Sequence, residues 1–192
     1  MSDISHSTAE PISAAPIAAQ RFVSAWHTIE CWIAVVAFTF IAVVLFLDVL
    51  GREMLGPLVR LFGQKMATGI FASQKMSVYA LVIGAFAGVG IATATGSHLV
   101  PRVLFGIVPE RHGRAFDRFA DLLTGLFLVA VSYYGLLFVQ SSFATDLRAP
   151  VLNWSVWPFQ LAIPLGFLSA AVRYLLFAIW PSLRPKPPDF QE

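Results

Sequence analysis

Four stretches of the chain are apolar with few charges: residues 31–50, 76–96, 119–139 and 156–180. Each has about twenty residues, which at about 1.5 Å rise per residue crosses a hydrocarbon core of roughly 30 Å. A segment in lipid must satisfy its own backbone hydrogen bonds, so each stretch is expected to be a helix. The pattern predicts an all-α integral membrane protein with four transmembrane helices. Between the first two spans the pattern changes. Across 57–75, Leu58, Leu61, Phe62, Met66, Ile70 and Phe71 recur at helical spacing among Arg60, Gln64 and Lys65, with Gly63 and Gly69 as weak points. That alternation predicts an amphipathic helix lying in the interface as a lateral strut. Arg21 to Glu30 carries Phe22, Trp26 and Ile29 on one side and Arg21 and His27 on the other, which predicts a short interfacial helix leading into the first span. Residues 1–20 read as a flexible tail without a signal-peptide core, 21–183 as one membrane domain, and the Pro-rich 184–192 as a disordered tail.

Within the second span Ala80, Gly84, Gly88, Ala92 and Gly96 recur every fourth residue. That spacing keeps small residues on one slowly drifting strip. Helices in lipid associate through close backbone contact, so the strip is expected to pack against another helix, of this chain or of a partner. Asp48 sits near the end of the first span with Arg52 four residues on, a pair that lowers the cost of both charges and anchors the helix end. His98 and Arg102 follow the second span as candidate anchors, Trp154 and Trp157 form an aromatic belt before the fourth, and Arg173 is expected to snorkel towards Trp180 and Arg184. Pro164 and Gly166 predict a kink or local unwinding at the start of that span.

Composition agrees with the pattern. The 192 residues are 57% hydrophobic and 12% charged, with mean hydropathy +0.73, about half the charge of a soluble domain. The net charge of +2 is too small to argue for nucleic acid. The single cysteine, Cys31, excludes an internal disulfide, and its IECWIA context does not match a lipid-modified cysteine. Four spans place both termini on one side. With the termini inside, the cytoplasmic side carries seven basic residues (Arg21, Arg102, Arg111, Arg114, Arg118, Arg184, Lys186). The outer side carries five (Arg52, Arg60, Lys65, Lys75, Arg148), with Arg173 left out of both. The balance leans towards cytoplasmic termini.

Catalytic motifs are missing: there is no phosphate loop, HExxH, CxxC or GxSxG. The spans carry scattered Ser and Thr, hardly any charge and no inverted repeat, which makes a poor solute pathway. No catalytic, cofactor or metal site is expected. Two other classes stay open at this level. Small four-helix membrane proteins can hold b-type haem between histidines, and His27 and His98 would lie at the same interface, though neither falls within an apolar span. A self-sufficient small transporter or channel is the other.

Three stretches resemble one family. The first span closes on LDVLGREMLG. The second is VYALVIGAFAGVGIATATGSHLVPRVL, a long apolar run with a central Gly that ends in a small residue, Gly and His. The third is APVLNWSVWPFQLAIPLGFLSAAVRYLL, a Pro-led loop, an aromatic belt, an apolar-Pro-x-Gly-Phe run and an Arg. Their order and spacing over about residues 25–180 are similar to the small membrane subunit (DctQ-like) of tripartite ATP-independent periplasmic (TRAP) transporters. The resemblance implies a non-catalytic scaffold in the bacterial inner membrane, surrounded by lipid. Its partners would be a large permease subunit, which holds the substrate and sodium sites, and a periplasmic binding protein that delivers an organic acid. The chain departs from the family in having Ser73, Gln74 and Lys75 where acidic residues often precede the second span, and Val100, Pro101 and Arg102 after the His.

Overall fold

A computed structural model describes residues 15–61, 68–96 and 113–185. Helix α1 (Ile17–Leu50) starts directly after Pro16, whose missing N–H suits a helix start. It runs on without a break through the stretch expected to form a separate interfacial helix, so residues 17–30 belong to the same rod. The first span then passes through a π-helical turn, Gly51–Leu55, into a short helix α2 (Gly56–Leu61). Pro57 explains the turn. Its ring would meet the carbonyl four residues back, and it has no N–H to give. The backbone widens instead, and the Gly56 N–H bonds to the Gly51 carbonyl five residues earlier.

Residues 62–67 of the expected amphipathic strut lie outside the described residues, and its last three residues, Ser73 to Lys75, are already the first turn of α3 (Ser73–Thr95). That helix ends at Gly96, which takes φ +68° and returns its N–H to the Ala92 carbonyl, a left-handed cap that glycine adopts without strain. Helix α4 (Gly113–Ala144) extends beyond the expected span at both ends. Helices α5 (Trp157–Gln160) and α6 (Ala162–Ile179) are separated at Leu161, and a 3-10 turn follows at Pro181–Leu183. The break sits where the Pro164 ring would collide with the Gln160 carbonyl. The interruption falls at Leu161, three residues ahead of the proline, and is slight, since Leu161 keeps φ −58° and ψ −25°.

Among the described residues, four helices are long and apolar enough to cross a membrane: Ile17–Leu55, Ser73–Thr95, Ala115–Ala144 and Trp157–Ile179. They pack as a row, α1 on α3, α3 on α6 and α6 on α4. The two inner helices, α3 and α6, therefore need two packing faces each, and the edge helices need one. The sequence of α4 shows this. Asp121, Gly125, Ser132, Val139 and Ser142 are buried, with Leu128 and Gly135 half-buried between them, a single seam at spacings of three and four. The small residues let α6 approach closely: the Gly125 Cα faces Leu175, Gly135 faces Pro164, and the Ser132 hydroxyl donates to the Pro164 carbonyl at 2.9 Å. Most of the rest of α4 within the span is apolar and exposed, Phe127 at 66% for example. A surface of that character is covered by hydrocarbon or by protein.

Candidate functional site

The buried charged side chains of the spans converge on three ties. The central one joins α1, α3 and α6. Glu30, the last residue before the uncharged run of the first span, is buried on α1, and Arg173 on α6 is 2% exposed. The Arg173 guanidinium donates from one terminal nitrogen to Glu30 Oε2 at 2.6 Å, and from the other to Glu30 Oε1 at 3.1 Å, the Gly90 carbonyl at 2.9 Å and Ser169 Oγ at 2.9 Å. Ser169 donates its hydroxyl to Glu30 Oε1 and accepts from the Trp26 indole N–H at 2.8 Å. The same indole lies 3.1 Å from Glu30 Oε1. Both carboxylate oxygens thus accept, and a planar guanidinium meets a carboxylate with two nitrogens, the strong geometry for such a pair. Gly90 is required beside it. A Cβ there would run into the Glu30 carboxylate.

This corrects the expectation for Arg173. It does not snorkel to the interface, because a buried carboxylate one helix away compensates its charge inside the bundle. Sequence reasoning missed Glu30, placing it at the polar end of an interfacial helix. The available signal was a lone acid and a lone base of opposite sign, each bordering or inside an apolar run.

The second tie closes the opposite end of α1. Asp48 is buried and accepts from Arg52 Nε at 3.1 Å and from the Ile70 backbone N–H at 2.8 Å, with a further Arg52 contact at 3.0 Å. The expected pair exists. Besides joining one helix turn to the next it pins the returning segment 68–70 against α1. Gly51 and Gly69 allow that approach, since a Cβ at Gly69 would fall 2.7 Å from both Arg52 Nε and Asp48 Oδ1. The third tie is at the termini end. Arg184 reaches Asp121 at 2.9 Å and Asp117 at 3.4 Å, and the Ala15 N–H donates to Ser182 Oγ at 3.2 Å. Arg184, expected in a disordered tail, is instead an ordered cap on α4.

The small-residue strip of α3 divides. Gly84 is buried, with the Phe38 ring 3.2 Å and the Ala37 methyl 3.3 Å from where a Cβ would lie. Gly88 faces open space among the described residues, and Ala80 and Ala92 are half-buried. Leucine at Gly84 is therefore expected to part α1 from α3 and lower the yield of monodisperse protein in size-exclusion chromatography. Leucine at Gly88 is expected to leave the isolated chain's yield unchanged. Trp154 is 45% exposed and stacks on Phe159 at 6.3 Å, and Trp157 meets Phe143 edge-on at 5.5 Å. His98 and Arg102 lie outside the described residues. His27 sits 3.7 Å from Cys31 on the same helix, and among the described residues no three His, Cys, Asp or Glu side chains gather as metal ligands.

The geometry is that of helices tied to one another. The ectoine TRAP transporter small permease protein TeaB of Halomonas elongata is 25% identical over 132 residues, 69% of this chain and 63% of that protein; the chain therefore matches somewhat less than two thirds of its relative's length. The family model described as tripartite ATP-independent periplasmic transporters, DctQ component, matches residues 41–183, from the middle of α1 through α6 to the 3-10 turn, and the chain belongs to that family.

Proposed function

We propose that this chain is the scaffold subunit of a TRAP-type secondary transporter, holding a large permease subunit in the bacterial inner membrane for sodium-driven uptake of an organic acid delivered by a periplasmic binding protein. One observation carries the reading. The buried charged side chains among the described residues, Glu30, Asp48, Asp121 and Arg173, are each consumed in an ion pair within the chain. A charged residue inside a span is expensive and usually marks an ion or solute path. Here the charges fasten helices instead, and the outward faces are apolar. Half-buried Gly88, where a Cβ would meet nothing within 4 Å, and the edge helices are available to a partner. The segment 57–72 would lie in the interface as a strut, with both termini cytoplasmic. Ectoine is the solute named for the Halomonas relative, and this chain's own solute would be set by the other two subunits.

The test is affinity purification from native membranes in mild detergent, then reconstitution. A roughly stoichiometric polytopic permease is expected to travel with the chain. Uptake of solute into proteoliposomes is expected to require permease, this chain, binding protein and a sodium gradient together. Uptake by this chain alone, or a haem absorption band in the purified protein, would overturn the scaffold reading.

A further inference from the structure

We propose that the groove between α1 and α3 binds one membrane phospholipid, with an acyl chain laid along the helices and its phosphate beside Lys75. The groove has a volume of about 630 Å³ and runs between Trp32 and Phe40 of α1 and Met76 and Ile83 of α3, closed at one side by Trp154 and Phe159. That volume lies within the range of ligand-binding clefts, about 300–1,000 Å³. Apart from one tyrosine and two tryptophans the lining side chains are hydrocarbon or thioether. Both helices are spans, so the groove opens onto lipid tails, and an apolar concavity at that depth is filled by hydrocarbon and not by water. Trp32 to Phe40 covers about 12 Å along a helix axis, most of one leaflet of a core roughly 30 Å thick.

The chemistry at the mouth favours a lipid over a protein side chain. Lys75 is exposed in the first turn of α3, one residue before the groove-lining Met76. Among the described residues, Arg52 and Arg148 at this end of the bundle pair with Asp48 and Asp146, whereas Lys75 has no ion-pair partner there. An unpaired ammonium at the interface attracts a lipid phosphate. The loop that carries Trp154 supplies an independent observation. Asp146, Val151 and Asn153 take φ of 45°, 78° and 53°, and a β-branched valine in that region is strained. The loop is nevertheless held fast: the Ala149 N–H donates to the Trp154 carbonyl at 2.7 Å and the Val156 N–H to the Leu147 carbonyl at 3.1 Å. Strain maintained by surrounding bonds points to a side chain that has to be placed. What it places is an indole at headgroup depth, stacked on Phe159 at the closed side of the groove.

The test uses the full chain with its co-purifying partner in nanodiscs doped with a phospholipid that carries a photoreactive acyl chain. Cross-linked peptides are mapped by mass spectrometry. Labelling is expected to concentrate on peptides spanning 32–40 and 76–83, and to fall several-fold there in Ala80→Trp and Ile83→Trp, which fill the groove, while labelling of the exposed face of α4 stays unchanged. Lys75→Gln is expected to reduce labelling by an anionic phospholipid more than by a zwitterionic one. Labelling spread evenly over all lipid-facing helices and insensitive to both tryptophan variants would overturn the proposal. So would a photoreactive amino acid at Val36 that captures only polypeptide, which would make the occupant a partner helix.

Discussion

Methionine in place of Arg173 is expected to destabilise the protein by about 3–5 kcal/mol, the cost of breaking a buried ion pair from one side. The loss does not come from the pair's own attraction. Two charges withdrawn from water give back much of their Coulombic gain as desolvation. The loss arises because Arg173→Met leaves the Glu30 carboxylate buried with only the Ser169 hydroxyl and the Trp26 indole as donors. Gly90 loses its carbonyl's side-chain donor as well. The double variant Glu30→Met with Arg173→Met is expected to recover most of the stability, since apolar side chains of similar volume in a lipid-embedded bundle owe nothing to desolvation. Arg173 Nε–H has no acceptor among the described residues, so the double variant also removes an unsatisfied donor. The measurement is thermal unfolding of the detergent-solubilised chain followed by tryptophan fluorescence, to which Trp26 reports directly. A single variant as stable as the parent would show that the tie is not closed in the membrane. The natural pair is then read as a register device: it ties α1, α3 and α6 at one depth through the Glu30, Gly90 and Ser169 contacts of Arg173.

The four spans were legible because hydropathy over twenty residues reports a bilayer crossing whatever the partners are. Their ends were less so. Nothing in composition stops α1 from continuing back to Ile17 or α4 from running on to Ala144, since a helix leaving the hydrocarbon is free to continue in water. The Pro164 break and the Asp48–Arg52 pair were legible because both are local, acting over four residues. The central tie was not. Glu30 and Arg173 are 143 residues apart in sequence, and each alone looks like an interfacial charge. The small-residue strip of α3 was half legible for a geometric reason. A period of four traces a single face, and Gly84 lies on it, against Phe38. An inner helix has two faces to pack, and Gly90, six positions on and about 120° round the helix, serves the second. Gly88 satisfied the period, yet a Cβ there would meet nothing within 4 Å.

Gly166→Val is expected to destabilise the protein strongly, at about 1–3 kcal/mol or more. Gly166 is buried on α6 where it crosses α3, and a Cβ there would fall 2.6 Å from the Phe86 carbonyl oxygen and 2.9 Å from the Phe86 Cβ. The obstructing oxygen is backbone in the middle of a span. It cannot swing aside as the end of a flexible side chain does, so α3 and α6 have to separate. Separation is costly here, because those two helices are the middle of the row. Moving one carries the Gly90 carbonyl away from Arg173 and the Phe86 ring away from Phe167, now 5.4 Å apart. In lipid little hydrophobic pressure restores the contact. Gly88→Val, two residues from Phe86 on the same helix but facing open space, is the matched control. The comparison is read as the fraction of each variant that stays monodisperse after heating in detergent. Gly166→Val is expected to lose that fraction at a lower temperature than the parent, and Gly88→Val to follow the parent. If both behave like the parent, the two inner helices are not in backbone contact. If Gly88→Val alone fails, the packing faces of α3 are assigned the wrong way round.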